Sequence, residues 1–198
     1  MGHPVGDVRR SEGSGKVGKA GVYVAFLRGI NLAGKNKLPM ADLARMFAVA
    51  GCDDVTTYIQ SGNVVYRASH TRARNLATVI EAAILKRFGY RVPLVVRTAR
   101  ELRNAVVGNP FVVAGSDANM LHLAFLAAEP SASRVSALDP QRSPPDQFSV
   151  AGRDIYLRLP NGVARTKLSN AYFDAKLATT STMRNWRTVL ALRDLTDR

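Results

Sequence analysis

The residues best suited to chemistry gather in three short stretches. The first runs Arg28-Gly29-Ile30-Asn31 and then Gly34-Lys35-Asn36-Lys37, three cations and two asparagines set among glycines. The second is Gln60-Ser61-Gly62-Asn63. The third is C-terminal: Arg165-Thr166-Lys167, followed by Arg184-Asn185-Trp186-Arg187. Arginine offers a two-pronged fork to carboxylate or phosphate, and glycine lets backbone N–H groups approach an anion closely. These types in these patterns point to anion recognition. Arg28, Lys35 and Lys37 would neutralise charge, while Gln60, Ser61 and Asn63 would direct hydrogen bonds.

The sharper chemistries fit less well. Gly29-(x4)-Gly34-Lys35 follows a strand and precedes a helix, as a phosphate-binding loop of the triphosphatase kind should. Yet Asn36 stands where the magnesium-ligating hydroxyl belongs, and the helix opens near Pro39, too late to wrap a phosphate. Of the three histidines, His3 falls in the leader and His70 in a loop, and His122 sits on an apolar strand where a structural role is expected. Cys52 lies beside Asp53 and Asp54, whose charges raise a thiol pKa, the reverse of nucleophile activation. No nucleophile and base stand at a motif's spacing. With one cysteine the chain has no internal disulfide and no CxxC metal site. No metal or cofactor is expected.

The elements that must position these groups come from apolar periodicity. Val22 to Leu27 reads as a strand buried on both faces, feeding the Arg28 loop. Leu43, Met46, Phe47 and Ala50 make one helical stripe, closed by Gly51. Val55 to Arg67 is a hairpin hinged at Ser61-Gly62, and Leu76, Val79, Ile80 and Ile84 mark a second helix ending at Gly89. Val92 to Arg97 is an edge strand, since Pro93 cannot donate to a ladder. Thr98-x-x-Glu101 is a capping box opening a helix that ends at Gly108.

The pattern then resumes. Leu123-Ala124-Phe125-Leu126 echoes Val24-Ala25-Phe26-Leu27. A second hairpin turns at Gly152-Arg153, with Gly152 and Tyr156 standing 90 residues after Gly62 and Tyr66. Leu168 to Leu177 is helical, and Thr179 to Thr182 supplies caps for a last helix through Met183 and Trp186, the tryptophan facing the core.

The expected fold is α+β: two tandem ferredoxin-like units of the βαββαβ type, the second degenerate, with a C-terminal helix in place of its last strand. The expected divisions are a disordered leader over residues 1–20, a first unit with its connecting helix over 21–112, and the second unit over 113–198. In a ferredoxin-like sheet the end of strand 1 and the hairpin between strands 2 and 3 share an edge. Arg28, Asn31, Lys35 and Lys37 would then meet Gln60, Ser61 and Asn63 there, with Arg91 close by.

Charge supports an anionic partner. Basic residues number 28 against 15 acidic, a net +13, of which residues 1–20 hold only +2. Of the 28, 21 are arginine, a bias that codons rich in G and C also produce. No stretch is apolar enough for a membrane span or signal peptide, so a cytoplasmic setting is the default.

The blocks VAFLRGINLAGKNKLPMADL, TYIQSGNVVYR, FGYRVPLVVRT, LAFLAAEP, GRDIYLRLPNG and TTSTMRNWRTVLAL resemble the bacterial family catalogued as domain of unknown function 1697 over residues 21–195. The resemblance implies a pair of ferredoxin-like units and leaves activity open. The family's motif positions fall on Arg28, Gly29, Asn31, Gly34, Lys37, Gln60, Ser61, Gly62, Asn63, Lys167, Arg184, Asn185 and Trp186. Residues 163–166, VART, and Arg187 depart from the family's pattern. Expected ligand-binding residues are therefore Arg28, Gly29, Asn31, Gly34, Lys35, Lys37, Gln60, Ser61, Asn63, Lys167, Arg184 and Asn185. The leading expectation is a protein that binds nucleic acid or a phosphorylated small molecule. The alternatives are a small enzyme acting on a phosphate- or carboxylate-bearing metabolite, and an interaction protein that forms a homodimer through a sheet face.

Overall fold

The apolar run after Gly21 is the centre of the first sheet in the computed structural model, which describes residues 20–32 and 34–198. The expected leader lies, Ala20 apart, outside the described residues. Strand β1 (Ala20–Leu27) lies between β3 (Asn63–Ser69) and β4 (Leu94–Thr98), antiparallel to both, with β2 (Asp53–Tyr58) on the outer side of β3. Its side chains alternate because a strand has a period of two. Tyr23, Ala25 and Leu27 face α1 (Met40–Val49) and α2 (His70–Phe88), meeting Leu43, Phe47, Leu76 and Ile80. Val24 and Phe26 face the other way. β4 is an edge strand, as Pro93 requires.

The second sheet repeats the order. β5 (Leu121–Leu126) lies between β7 (Asp154–Arg158) and β8 (Ser181–Asn185), with β6 (Gln147–Ala151) outside β7. Its outer face is covered by α5 (Ala132–Ser136) and α6 (Asn170–Leu177). Its inner face shares a core with the first sheet: Phe125 stacks on Phe26 with ring centroids 4.1 Å apart. Helices α3 (Ala99–Val107) and α7 (Trp186–Thr196) complete that shared core with Leu102, Trp186 and Val189, while α4 (Pro110–Val113) sits in the connector. The protein is thus a mixed α+β structure with two four-stranded antiparallel sheets and a C-terminal helix. Among the described residues no helix is long and apolar enough to cross a membrane.

Two sequence expectations need correction. The second half does not lose its last strand: Ser181–Asn185 pairs with β5 over its whole length. Its composition, Ser-Thr-Met-Arg-Asn, hides it, because the inward-facing positions hold polar side chains satisfied by neighbours rather than an apolar alternation. Thr179–Thr182 therefore caps nothing in α7; the cap is Asn185, whose side chain accepts from the Thr188 N–H at 2.8 Å. The hairpin alignment is also off by one residue. Phe26 pairs with Asn63 and Phe125 with Asp154, so Asn63 corresponds to Asp154, Gly62 to Arg153 and Tyr66 to Leu157. The tetrad alignment holds, since Val24 faces Arg97 as Leu123 faces Arg184.

Candidate functional site

Corresponding positions in the two halves carry a pair of crossed arginines. Arg97 on β4 reaches into the second half, donating to the Arg153 carbonyl at 2.6 Å, the Leu126 carbonyl at 3.0 Å and Asp154 at 3.2 Å. Arg184 on β8 reaches into the first half. It donates to Asn63 Oδ1 at 2.6 Å and to the Leu27 and Ser61 carbonyls, and nearer home to Thr182 Oγ1 at 2.8 Å. Each guanidinium lies over the phenyl ring of the opposite half, Arg97 over Phe125 and Arg184 over Phe26. Burial lowers both guanidinium pKa values. Asp154 opposes the shift at Arg97, whereas Arg184 has only neutral acceptors and is pushed down to about 10.

The Arg28 loop is built by its own side chains. Gly29, Asn31, Gly34 and Asn36 all take left-handed backbone, the region glycine and asparagine tolerate best. Asn36 donates to the Gly29 carbonyl at 2.8 Å, and Asn31 donates to Leu38 and Gln60 carbonyls while accepting from the Leu38 N–H. That last set ties the loop to the β2–β3 hairpin. Gly62 at the hairpin has no room for a side chain, because a Cβ would fall 2.7 Å from Leu27 Cβ. Arg28 crosses to the other half, pairing with the Asp174 carboxylate and donating to the Ser181 carbonyl at 3.2 Å. Asp174 in turn accepts from the Ser181 N–H and hydroxyl, both at 2.7 Å.

Between this loop, the hairpin and β8 lies a cavity of about 530 Å³. Its floor includes Leu27, Ile30, Leu168 and Met183, and its rim Leu32, Ile59 and Val163, which are 61, 50 and 56% exposed. Polar groups enter from the opening turns of two helices: Ser169 and Asn170 of α6, Asn185 and Thr188 of α7. His122, only 8% exposed, forms part of the wall, and its Nδ1 has no hydrogen-bond partner among the described residues. Burial pushes this imidazole below its ordinary pKa, and the Met120 carbonyl only partly offsets the effect, so it is neutral at pH 7. Another depression, of about 650 Å³, lies between Phe111 and the Pro144-Pro145 loop, away from all three stretches, with Arg158 its one cation. Among the described residues there is no cluster of histidine, cysteine and carboxylate able to hold a metal ion.

Residues 21–156, more than half of the chain, match the family described as Protein of unknown function (DUF1697). The chain belongs to the DUF1697 family. No curated protein matches it. Among solved structures it is similar to a conserved bacterial protein from Streptococcus pneumoniae, with 18% identity and a TM-score of 0.67, over 90% of this chain and 99% of the other. At that identity the likeness speaks for the fold alone.

In this DUF1697 chain the expected site residues separate into three groups. Arg28, Gly29, Ser61, Arg184 and Asn185 do meet at one cavity. Asn31 and Asn63 spend their amides inside the protein, Asn63 donating to the Tyr58 carbonyl and Ser61 Oγ as well as accepting from Arg184. Gly34, Lys35, Lys37, Gln60 and Lys167 are exposed and off the cavity wall, as is Arg91. Asp174, which lies in none of the three stretches, brings a carboxylate onto Arg28. Trp186 is core, as expected, at 3% exposure. Sequence reading passed over Thr188, Ser169, Asn170, Asp174 and the cavity side of His122. Ser169 was open to notice as a capping serine ahead of an apolar helix. Asp174 had no such signal, because its partner is 146 residues away.

Proposed function

We propose that this chain is a small-molecule-binding protein. Its ligand, with an apolar body and a polar or acidic end, occupies the cavity between Arg28, Ile59, Met183 and Asn185. The two halves are read as tandem copies of one ferredoxin-like unit, and the cavity as the groove left where they join. The single observation that carries the reading is the cavity itself: about 530 Å³ with aliphatic floor and rim and polar groups converging on one side. Exposed aliphatic side chains ringing a concave polar-lined site are what a partly apolar ligand recognises.

The polyanion reading rests on net charge and on Arg28, Lys35 and Lys37, of which Arg28 is paired with Asp174 and the two lysines are solvent-exposed. The two readings part in one experiment: thermal-shift titration with small apolar acids, their neutral analogues and short oligonucleotides at two salt concentrations. Ile59→Glu, which sets a carboxylate on the apolar rim, should weaken the small apolar acids at least tenfold. Lys35→Ala/Lys37→Ala should leave them unchanged. If only oligonucleotides bind, with an affinity that falls steeply with salt and is lost in the double lysine variant, the small-molecule reading is rejected.

A further inference from the structure

Comparing the two crossed arginines exposes an imbalance. At the Arg97 end two cations, Arg97 and Arg153, face two carboxylates, Asp154 and Glu101. Glu101 seals that end: one carboxylate oxygen accepts from the Thr98 N–H at 2.7 Å and hydroxyl at 3.0 Å, and the other pairs with Arg153. At the Arg184 end the corresponding positions are Asn63 for Asp154, Gly62 for Arg153 and Thr188 for Glu101. The cations there are Arg184 and Arg28, and among the described residues the only carboxylate bonded to either is Asp174. This end is one negative charge short. It is also the end that is hollow, because the Glu101 and Arg153 side chains that close the other have been replaced by a threonine and a glycine.

Two further observations fall on the same spot. The opening turn of α7, an 11-residue helix, faces the cavity through Asn185 and Thr188, where a helix favours negative charge. His122 is the strand partner of Asn185, more than nine-tenths buried, and its ring lines the cavity with no side-chain hydrogen-bond partner among the described residues. A polar ring in the cavity wall with no side-chain partner favours a bound group that hydrogen-bonds to it.

We propose that the ligand is a monocarboxylate, and that its carboxylate sits at the opening turn of α7 beside His122, in the place that Glu101 takes at the other end. The inference rests on the small-molecule reading and adds a charge and a position to it. The ligand supplies the missing anion near Arg184, meets the first N–H groups of α7, and gives the His122 imidazole a partner. Its apolar remainder extends over Ile30 and Met183.

The test is a two-dimensional 1H–15N NMR titration of the full chain with three probes: phenylacetate, neutral phenylacetamide and dianionic phenyl phosphate. Phenylacetate should shift the amides of residues 185–188 and bind about tenfold more tightly than the amide. Thr188→Glu rebuilds the sealing carboxylate and should weaken phenylacetate about tenfold or more. Equal binding of acid and amide in the wild type overturns the charge assignment while the small-molecule reading stands, and that comparison needs no variant to fold. Tighter binding of phenyl phosphate than of phenylacetate overturns the carboxylate assignment. Unchanged phenylacetate affinity in Thr188→Glu overturns the position. If no probe shifts any cavity amide, the inference and the reading beneath it fall together.

Discussion

His122 shows what one side chain can be asked to report. Burial lowers its pKa, so the fold prefers the neutral imidazole, whereas in the unfolded chain it titrates near 6.5. Between the depressed folded value and about pH 6.5 the unfolded chain binds more protons, so stability rises with pH across that window. It is complete above the window and lost as pH falls through it. The slope due to this one group reaches at most about 1.4 kcal/mol per pH unit. Urea unfolding of the wild type and His122→Leu between pH 5 and 8 checks it. The difference in stability between the two should shift in favour of the wild type as pH rises, and a pH-independent difference would remove His122 from the account. Cys52 offers a control of opposite meaning: burial first, and Asp53 after it, push its thiol up to about 11 against the pull of Arg72. It is a buried core thiol in which nucleophile chemistry has no foothold.

At the scale of elements, the crossed arginines hold the two sheets together through backbone carbonyls at the strand ends. Arg97→Met would strand Asp154, which is 18% exposed, without its cation, and should cost about 3–5 kcal/mol. Arg184→Met leaves only neutral acceptors unpaired, at Leu27, Ser61 and Asn63, and should cost about 1–3 kcal/mol. Denaturant melts of the two variants should therefore differ, with Arg97→Met the weaker protein; the reverse order would mean that the Asp154 pair is not what sets the cost. These latches also explain what could be read from the chain beforehand. β1 was legible because it is apolar on both faces, and α3 because its Thr98–Glu101 box is a local signal. β8 was not, since Arg184 points inward on a strand for the sake of acceptors more than 100 residues away. The candidate loop at Arg28 was visible as a cluster of polar residues after a strand. The partners of Arg28, Asp174 and the Ser181 carbonyl of β8, belong to the other half, and pairing at that distance leaves no trace in spacing or periodicity.

For the whole molecule the decisive contact is the stack of Phe26 on Phe125, in a core to which both sheets, α3 and α7 contribute. Neither half can withdraw without exposing the inner face of the other, so the two sheets should unfold as one unit even though each carries its own outer core. A chain of 198 residues is long enough for separate transitions to be the ordinary expectation, which makes the point testable. The single tryptophan, Trp186, lies in the shared core and reports on it alone, while far-UV circular dichroism reports on both halves together. The two signals should trace the same denaturant curve in the wild type. Phe26→Ala removes a fully buried ring and should cost about 3–5 kcal/mol. Against a total stability of about 5–15 kcal/mol that is a large fraction, and it should move both signals by the same amount. Tryptophan fluorescence that changes before the circular dichroism, in either protein, would mean that the halves part before they unfold. The cavity, which is made where they join, would then open and close with that motion and not stand preformed for its ligand.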